Sequence, residues 1–237
     1  MVSRYSAWQV APPPPTCVRG ACRRWLVERA GSSRGDLPDR FLVDARTPVE
    51  TRVSWLLRMV EQGAGRDAAT FAGLAAVCER HSAAPTTPRT LGQALLEAQN
   101  ALIAYLPDRD GLEVFQGARF SYFARTGDCE DKSVFLASVA RLLGLEADVV
   151  WIDQPGAANN HVTARVCLVH RNGALVDDVP RAWDDPDPGR VRVTGAAVPV
   201  GCRYAWAEPT LRGALIGENP YDVLRRLGTG NPNRPNL

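Results

Sequence analysis

Apolar residues recur at helical spacing through the first half of this chain and at strand spacing through much of the second. Thr47-Pro48-Val49-Glu50 resembles a capping box with proline at the first helical position. Val53, Leu56, Leu57 and Val60 carry a 3.6-residue period to about Glu61, where Gly63 to Gly65 are expected to break the helix. A second helix is predicted over 67–81 and a third over 90–105, ended by Pro107 and Gly111. Residues 112–115 are a short strand candidate. Another apolar-periodic run covers 129–143, with Gly144 as its C-cap. The period then changes to two. Residues 147–152 and 161–169 read as strands, Arg171-Asn172-Gly173 as a hairpin turn, and 174–177 as the returning strand. Short strands near 190–199 and a last helix over 221–227 complete the reading, before a tail from Gly228 expected to be disordered. Helices followed by a run of antiparallel strands make an α+β pattern, not alternating βαβ units.

Residues 1–45 carry no such pattern and read as an irregular N-terminal extension containing the run Pro12 to Pro15. A net charge of +2 points to neither nucleic acid nor an anionic membrane as partner. No apolar run approaches the roughly 20 residues of a membrane helix. Met1 to Val10 lack a basic start followed by an apolar stretch, so a cytoplasmic location is expected. Six cysteines in 237 residues do not make a disulfide scaffold, and Cys78, Cys167 and Cys202 are expected to be buried, inert thiols. Cys17 and Cys22 lack a second pair or a nearby histidine, so neither a metal nor any other cofactor is expected.

The chemistry concentrates at Gly127-Asp128-Cys129-Glu130-Asp131-Lys132, where a loop becomes the helix of 129–143. Backbone N–H groups at a helix start favour an anion, which would ease ionisation of the Cys129 thiol. Glu130 and Asp131 work against that charge. Thirty-two residues on, His161 opens a strand, and the strand hairpinned to it ends in Asp177-Asp178. Thiol, imidazole and carboxylate in this order suit covalent acyl transfer: the imidazole moves the proton and the carboxylate fixes its tautomer. Asp177 and Asp178 point to opposite faces of their strand, so only one can serve; Asp177 is preferred. Gln116 is a candidate oxyanion-hole donor beside the backbone N–H of Cys129. Lys132 is the only lysine among 28 basic residues and sits one turn past Cys129, in a position to pair with Asp128 or another nearby carboxylate.

The hexapeptide around Cys129, followed by an apolar helix ending Leu142-Leu143-Gly144-Leu145, resembles the transglutaminase-like superfamily, closest to its short bacterial and phage-associated cysteine peptidases. Tyr105-Leu106-Pro107-Asp108 and Gly111-Leu112-Glu113 also fit. The likeness runs well over 88–180 and loosely over 46–87. It implies a papain-like core over about 46–190, in which the nucleophile helix packs on an antiparallel sheet, with a C-terminal extension over 191–237. It further implies Cys129 as nucleophile, His161 as general base and acid, Asp177 (or Asp178) as orienting carboxylate, and a protein or peptide as substrate. Family members usually carry an aromatic residue in the strand before the carboxylate and a proline just after it. Ala174-Leu175-Val176 lacks the aromatic, and Pro180 comes late. Hydrolysis of an amide is favoured over cross-linking. The alternative is a non-catalytic member acting in assembly or interaction, as in a phage-related particle.

Overall fold

The stripe of Val53, Leu56 and Val60 is buried on α1, Val49–Ala64, the first helix of a computed structural model that describes residues 36–81, 88–109, 112–153, 161–168, 192–197, 202 and 204–218. The helix ends at Ala64 with Gly65 as its C-cap, within the Gly63 to Gly65 stretch expected to break it. Gly63, in its last turn, meets another helix with no room for a side chain: a Cβ there would lie 2.4 Å from Ser138 Oγ. Before α1 comes β1, Arg40–Leu42. After it come α2, Ala68–His81, and α3, Pro88–Leu102. The predicted third helix stops early because Ala104–Tyr105 forms β2 and pairs in parallel with β4, Thr126–Gly127. Between them lie β3, Val114–Gln116, antiparallel to β1, and a helix the sequence pattern did not suggest, α4, Ala118–Ala124. Helix α4 ends at Arg125, whose φ of 60° turns the chain and whose guanidinium lies over the Tyr122 ring.

The following helix, α5, Cys129–Leu142, is the centre of the molecule. Every residue from Glu130 to Ala140 is buried, the signature of a helix enclosed on all sides. Its Phe135 packs edge-on to Phe71 of α2 and stacks on Tyr122 of α4. Gly144, at φ 75°, turns the chain out of the helix as its position predicted.

The sheet against α5 has the order β7-β5-β6-β8 with every pair antiparallel: β5 is Ala147–Asp153, β6 is His161–Cys167, β7 is Arg192–Gly195 and β8 is Tyr204–Ala207. Its alternation sorts the faces. Val149, Trp151, Val162, Ala164, Val166, Ala205 and Ala207 join the main core with α5. Val150, Ile152 and Trp206 form a separate cluster with Val193, beside the buried pair of Arg165 and Asp148. Thus β7 and β8, from the stretch read as a C-terminal extension, complete the sheet that carries His161.

Cys167 and Cys202 correct the expectation of inert thiols: they form a disulfide with Cα atoms 5.6 Å apart. The cause is tertiary, since Cys167 faces Tyr204 across the β6–β8 ladder and brings Cys202 alongside. Cys78 is buried, as expected. Among the described residues no helix is long and apolar enough to cross a membrane. The N-terminal residues 1–35, the hairpin of 171–177 with Asp177 and Asp178, the helix of 221–227 and the tail lie outside the described residues.

Candidate active site

The loop before α5 is shaped by Asp131. Its Oδ1 accepts the Gln116 backbone N–H at 2.7 Å, and its Oδ2 accepts the Gln116 side-chain amide and, at 3.4 Å, the N–H of Asp128, the N-cap residue. This close approach explains Gly127, where a Cβ would lie 2.7 Å from Asp131 Cβ. Asp131 therefore joins β3 to the start of α5. The bond leaves Gln116, the candidate oxyanion donor, at most one amide N–H for another partner.

Cys129 opens α5 half-buried, and its thiol donates to Glu130 Oε2 at 3.0 Å. The helix start does not ease its ionisation as expected. Burial, then the charges of Glu130 and Asp128, push the thiol well above its ordinary range, against a lowering contribution from the Val162 N–H. Burial likewise lifts Glu130 to about 8, helped by Asp131 and Glu113, and raises Asp128 and Asp131. The partial charge of one helix end is outweighed by burial and two carboxyl groups. Tyr105 lies close enough for Cys129, Asp128 and Glu130 to add to the upward shift that burial gives its phenol.

His161 begins β6, the strand beside α5. The Ser133 hydroxyl lies 2.6 Å from the Cys129 carbonyl oxygen and 3.2 Å from that of Val162, tying the helix start to the strand start. The imidazole is 3% exposed, and its Nε2 lies 2.7 Å from Glu208 Oε2. Nδ1 is buried without a hydrogen-bond partner, so the thiol–imidazole hydrogen bond is not formed in this geometry. Burial pulls Glu208 upward, but His161 and the bonds from Thr210 outweigh it and hold the carboxyl below its ordinary value.

Sequence reasoning missed Glu208, although a signal was present. Trp206-Ala207-Glu208-Pro209 has an aromatic before the carboxylate and a proline directly after it, whereas 174–180 has no aromatic and its Pro180 comes late. Lys132 also differs from expectation. It is 3% exposed and donates to two neutral oxygens, Asn100 Oδ1 at 3.1 Å and Ile103 O at 3.0 Å, not to Asp128. Asp108, Asp128 and Glu130 each bring one carboxylate oxygen within 4.8 Å of the others, a grouping that linear spacing does not disclose. An all-oxygen set of this kind suits a hard cation such as Ca²⁺ or Mg²⁺.

No family model matches this chain, and no curated protein matches it. Among solved structures, one described as "a Putative Cysteine Protease from Cytophaga hutchinsonii" is similar at 12% identity and a TM-score of 0.33. The match covers 71% of this chain and spans 63% of the other protein's length. A superposition that loose carries no argument for fold or activity.

Proposed function

We propose that this protein is a thiol-dependent hydrolase of amide or peptide bonds with a papain-like, transglutaminase-like core, in which Cys129, His161 and Glu208 act together. The observation that carries the reading is the buried His161–Glu208 pair, which engages Nε2 and leaves Nδ1 open on the strand beside the Cys129 helix. In the proposed reaction the thiol leaves Glu130 and gives its proton to Nδ1. The sulfur attacks the substrate carbonyl, and the backbone N–H of Cys129 steadies the oxyanion. The imidazolium, held by Glu208, returns its proton to the leaving amine as the C–N bond breaks. Water then attacks the thioester, His161 takes its proton and passes it to the departing sulfur, and the acid and free thiol are released. Glu208 takes the role expected of Asp177, which with Asp178 lies outside the described residues. The Cys167–Cys202 disulfide, a bond rare in reducing compartments, weighs against the cytoplasmic location expected from the N-terminus.

One observation favours the non-catalytic reading: a thiol bonded to Glu130 and pushed upward in pKa is poorly prepared to attack. Iodoacetamide labelling at pH 6–7 with peptide mapping separates the two. We expect Cys129 to label ahead of the other cysteines and His161→Ala to slow it. Labelling of Cys129 no faster than that of buried Cys78, and indifferent to His161, would leave the assembly or interaction role standing. The matching activity test is cleavage of a mixed peptide pool, read by mass spectrometry, by wild type and Cys129→Ser.

A further inference from the structure

Lys132 and Glu208 stand at the two ends of one path of contacts. Lys132 Nζ donates to Asn100 Oδ1 and Ile103 O at the C-terminal end of α3. Asn100 Nδ2 donates onward to Leu211 O at 3.4 Å. The neighbouring Thr210 donates its backbone N–H to Glu208 Oε1 at 2.9 Å, and its hydroxyl donates to the same oxygen. The other Glu208 oxygen meets His161. Helix α3 grips the same segment further along: Gln93 Oε1 accepts the Ile216 N–H at 2.8 Å, and Gln93 Nε2 donates to Ala214 O at 3.4 Å. The chain after β8 is thus bound to α3, and the end of α3 is bound to the nucleophile helix by Lys132.

The choice of lysine has a physical reason. A compact ammonium can serve two oxygens gathered at a helix end, where unsatisfied carbonyls and the dipole favour a cation. Arginine's planar fork would spread its donors over a wider arc. Burying an ammonium among neutral oxygens is costly, and Glu208 is the carboxylate whose attraction offsets part of that cost.

We propose that Lys132 is a positioning residue: through Asn100 it fixes the Thr210–Leu211 turn, and the turn fixes Glu208 against the His161 imidazole. This rests on the reading of Cys129 and His161 as an acyl-transfer pair. The test measures iodoacetamide alkylation of Cys129 in the full chain from pH 5.5 to 9, with melting temperature as the folding control. The variants are Lys132→Met, Asn100→Ala, Glu208→Gln, His161→Ala and the double variant Lys132→Met/Glu208→Gln. Lys132→Met and Asn100→Ala should each slow alkylation near pH 6.5 by about threefold or more. Lys132→Met should add nothing once Glu208→Gln is present, because both act on the same imidazole. If Lys132→Met does not fold, Asn100→Ala carries the same prediction with the ammonium intact. Equal effects of Lys132→Met in both backgrounds, or normal profiles for Lys132→Met and Asn100→Ala where His161→Ala is altered, overturn the positioning role alone. An unaltered profile for His161→Ala overturns the acyl-transfer reading, and the positioning role with it.

Discussion

Replacing glycine by alanine inside a helix ordinarily stabilises it, by about 0.8–1 kcal/mol, because alanine has less backbone freedom to lose. Gly63 in α1 should reverse that sign. The added methyl would lie 2.7 Å from Ser138 Cβ and 3.0 Å from Ala118 Cβ, as well as 2.4 Å from Ser138 Oγ. The hydroxyl can rotate, but the two Cβ atoms are fixed to the backbones of α5 and α4. Carbon atoms at rest sit about 3.5–4.0 Å apart, so α1 would have to withdraw from α5 by about 1 Å. Overpacking of this kind costs about 1–3 kcal/mol. The net effect of Gly63→Ala should therefore be a loss of up to about 2 kcal/mol, with melting temperature falling by about 2–4 °C per kcal/mol for a chain of this length. Gly73 is the control: it is exposed in the middle of α2, nothing lies within 4 Å of a Cβ built there, and Gly73→Ala should stabilise. Urea unfolding of both variants at 25 °C decides the matter. A Gly63→Ala midpoint at or above wild type would show that α1 and α5 are not packed as described, and partial recovery in Gly63→Ala/Ser138→Gly would locate the clash.

Glu130→Gln should lower the thiol pKa of Cys129, since it removes a negative charge and the carboxylate the thiol now bonds; a pH profile of iodoacetamide alkylation that does not shift downward refutes this. Glu130 also sets a stability window. Its carboxyl titrates near 8 when folded and near its ordinary 4.5 when unfolded, so the folded state binds the extra proton between those values. Stability should therefore rise as pH falls from about 8 towards 5, and Glu130→Gln should flatten that slope in urea titrations. Glu208 acts with the opposite sign, because its folded pKa is depressed. Its contribution is present above the ordinary carboxylate range and lost on further acidification, so Glu208→Gln should weaken the acid-limb slope below pH 4.5. Cys202→Ser opens a disulfide between residues 35 apart, which should cost about 4 kcal/mol by loop-closure entropy; an unchanged melting temperature would mean that the disulfide does not form in solution.

What the sequence disclosed follows from the range of the forces involved. Helices α1, α2 and α5 and strands β5 and β6 were legible because each buries one face or the whole of a continuous run, and burial writes its period into the residues. The Gly144 cap was legible for a local reason, the positive φ that glycine accepts. The break at Gly63 to Gly65 was legible, since α1 ends at Ala64 with Gly65 as its C-cap, but the close approach at Gly63 was not, because only the partner helix reveals it. Strands β2 and β4 have two residues each and exist only because they pair with each other, so neither carries a period of its own. The same division runs through the site. Cys129 announces itself by its place at a helix start, whereas Asp108 joins Asp128 and Glu130 only through folding. Glu208 follows His161 by 47 residues and reaches it across the β6–β8 ladder, so no local spacing connects them. Its aromatic-and-proline context was readable but lies beyond residues 46–180, the stretch that carries the resemblance. The pH behaviour of the thiol was the least legible quantity. Dipole, burial and two carboxyl groups enter with opposing signs, and the balance depends on how dry the helix start is, which only the assembled fold determines.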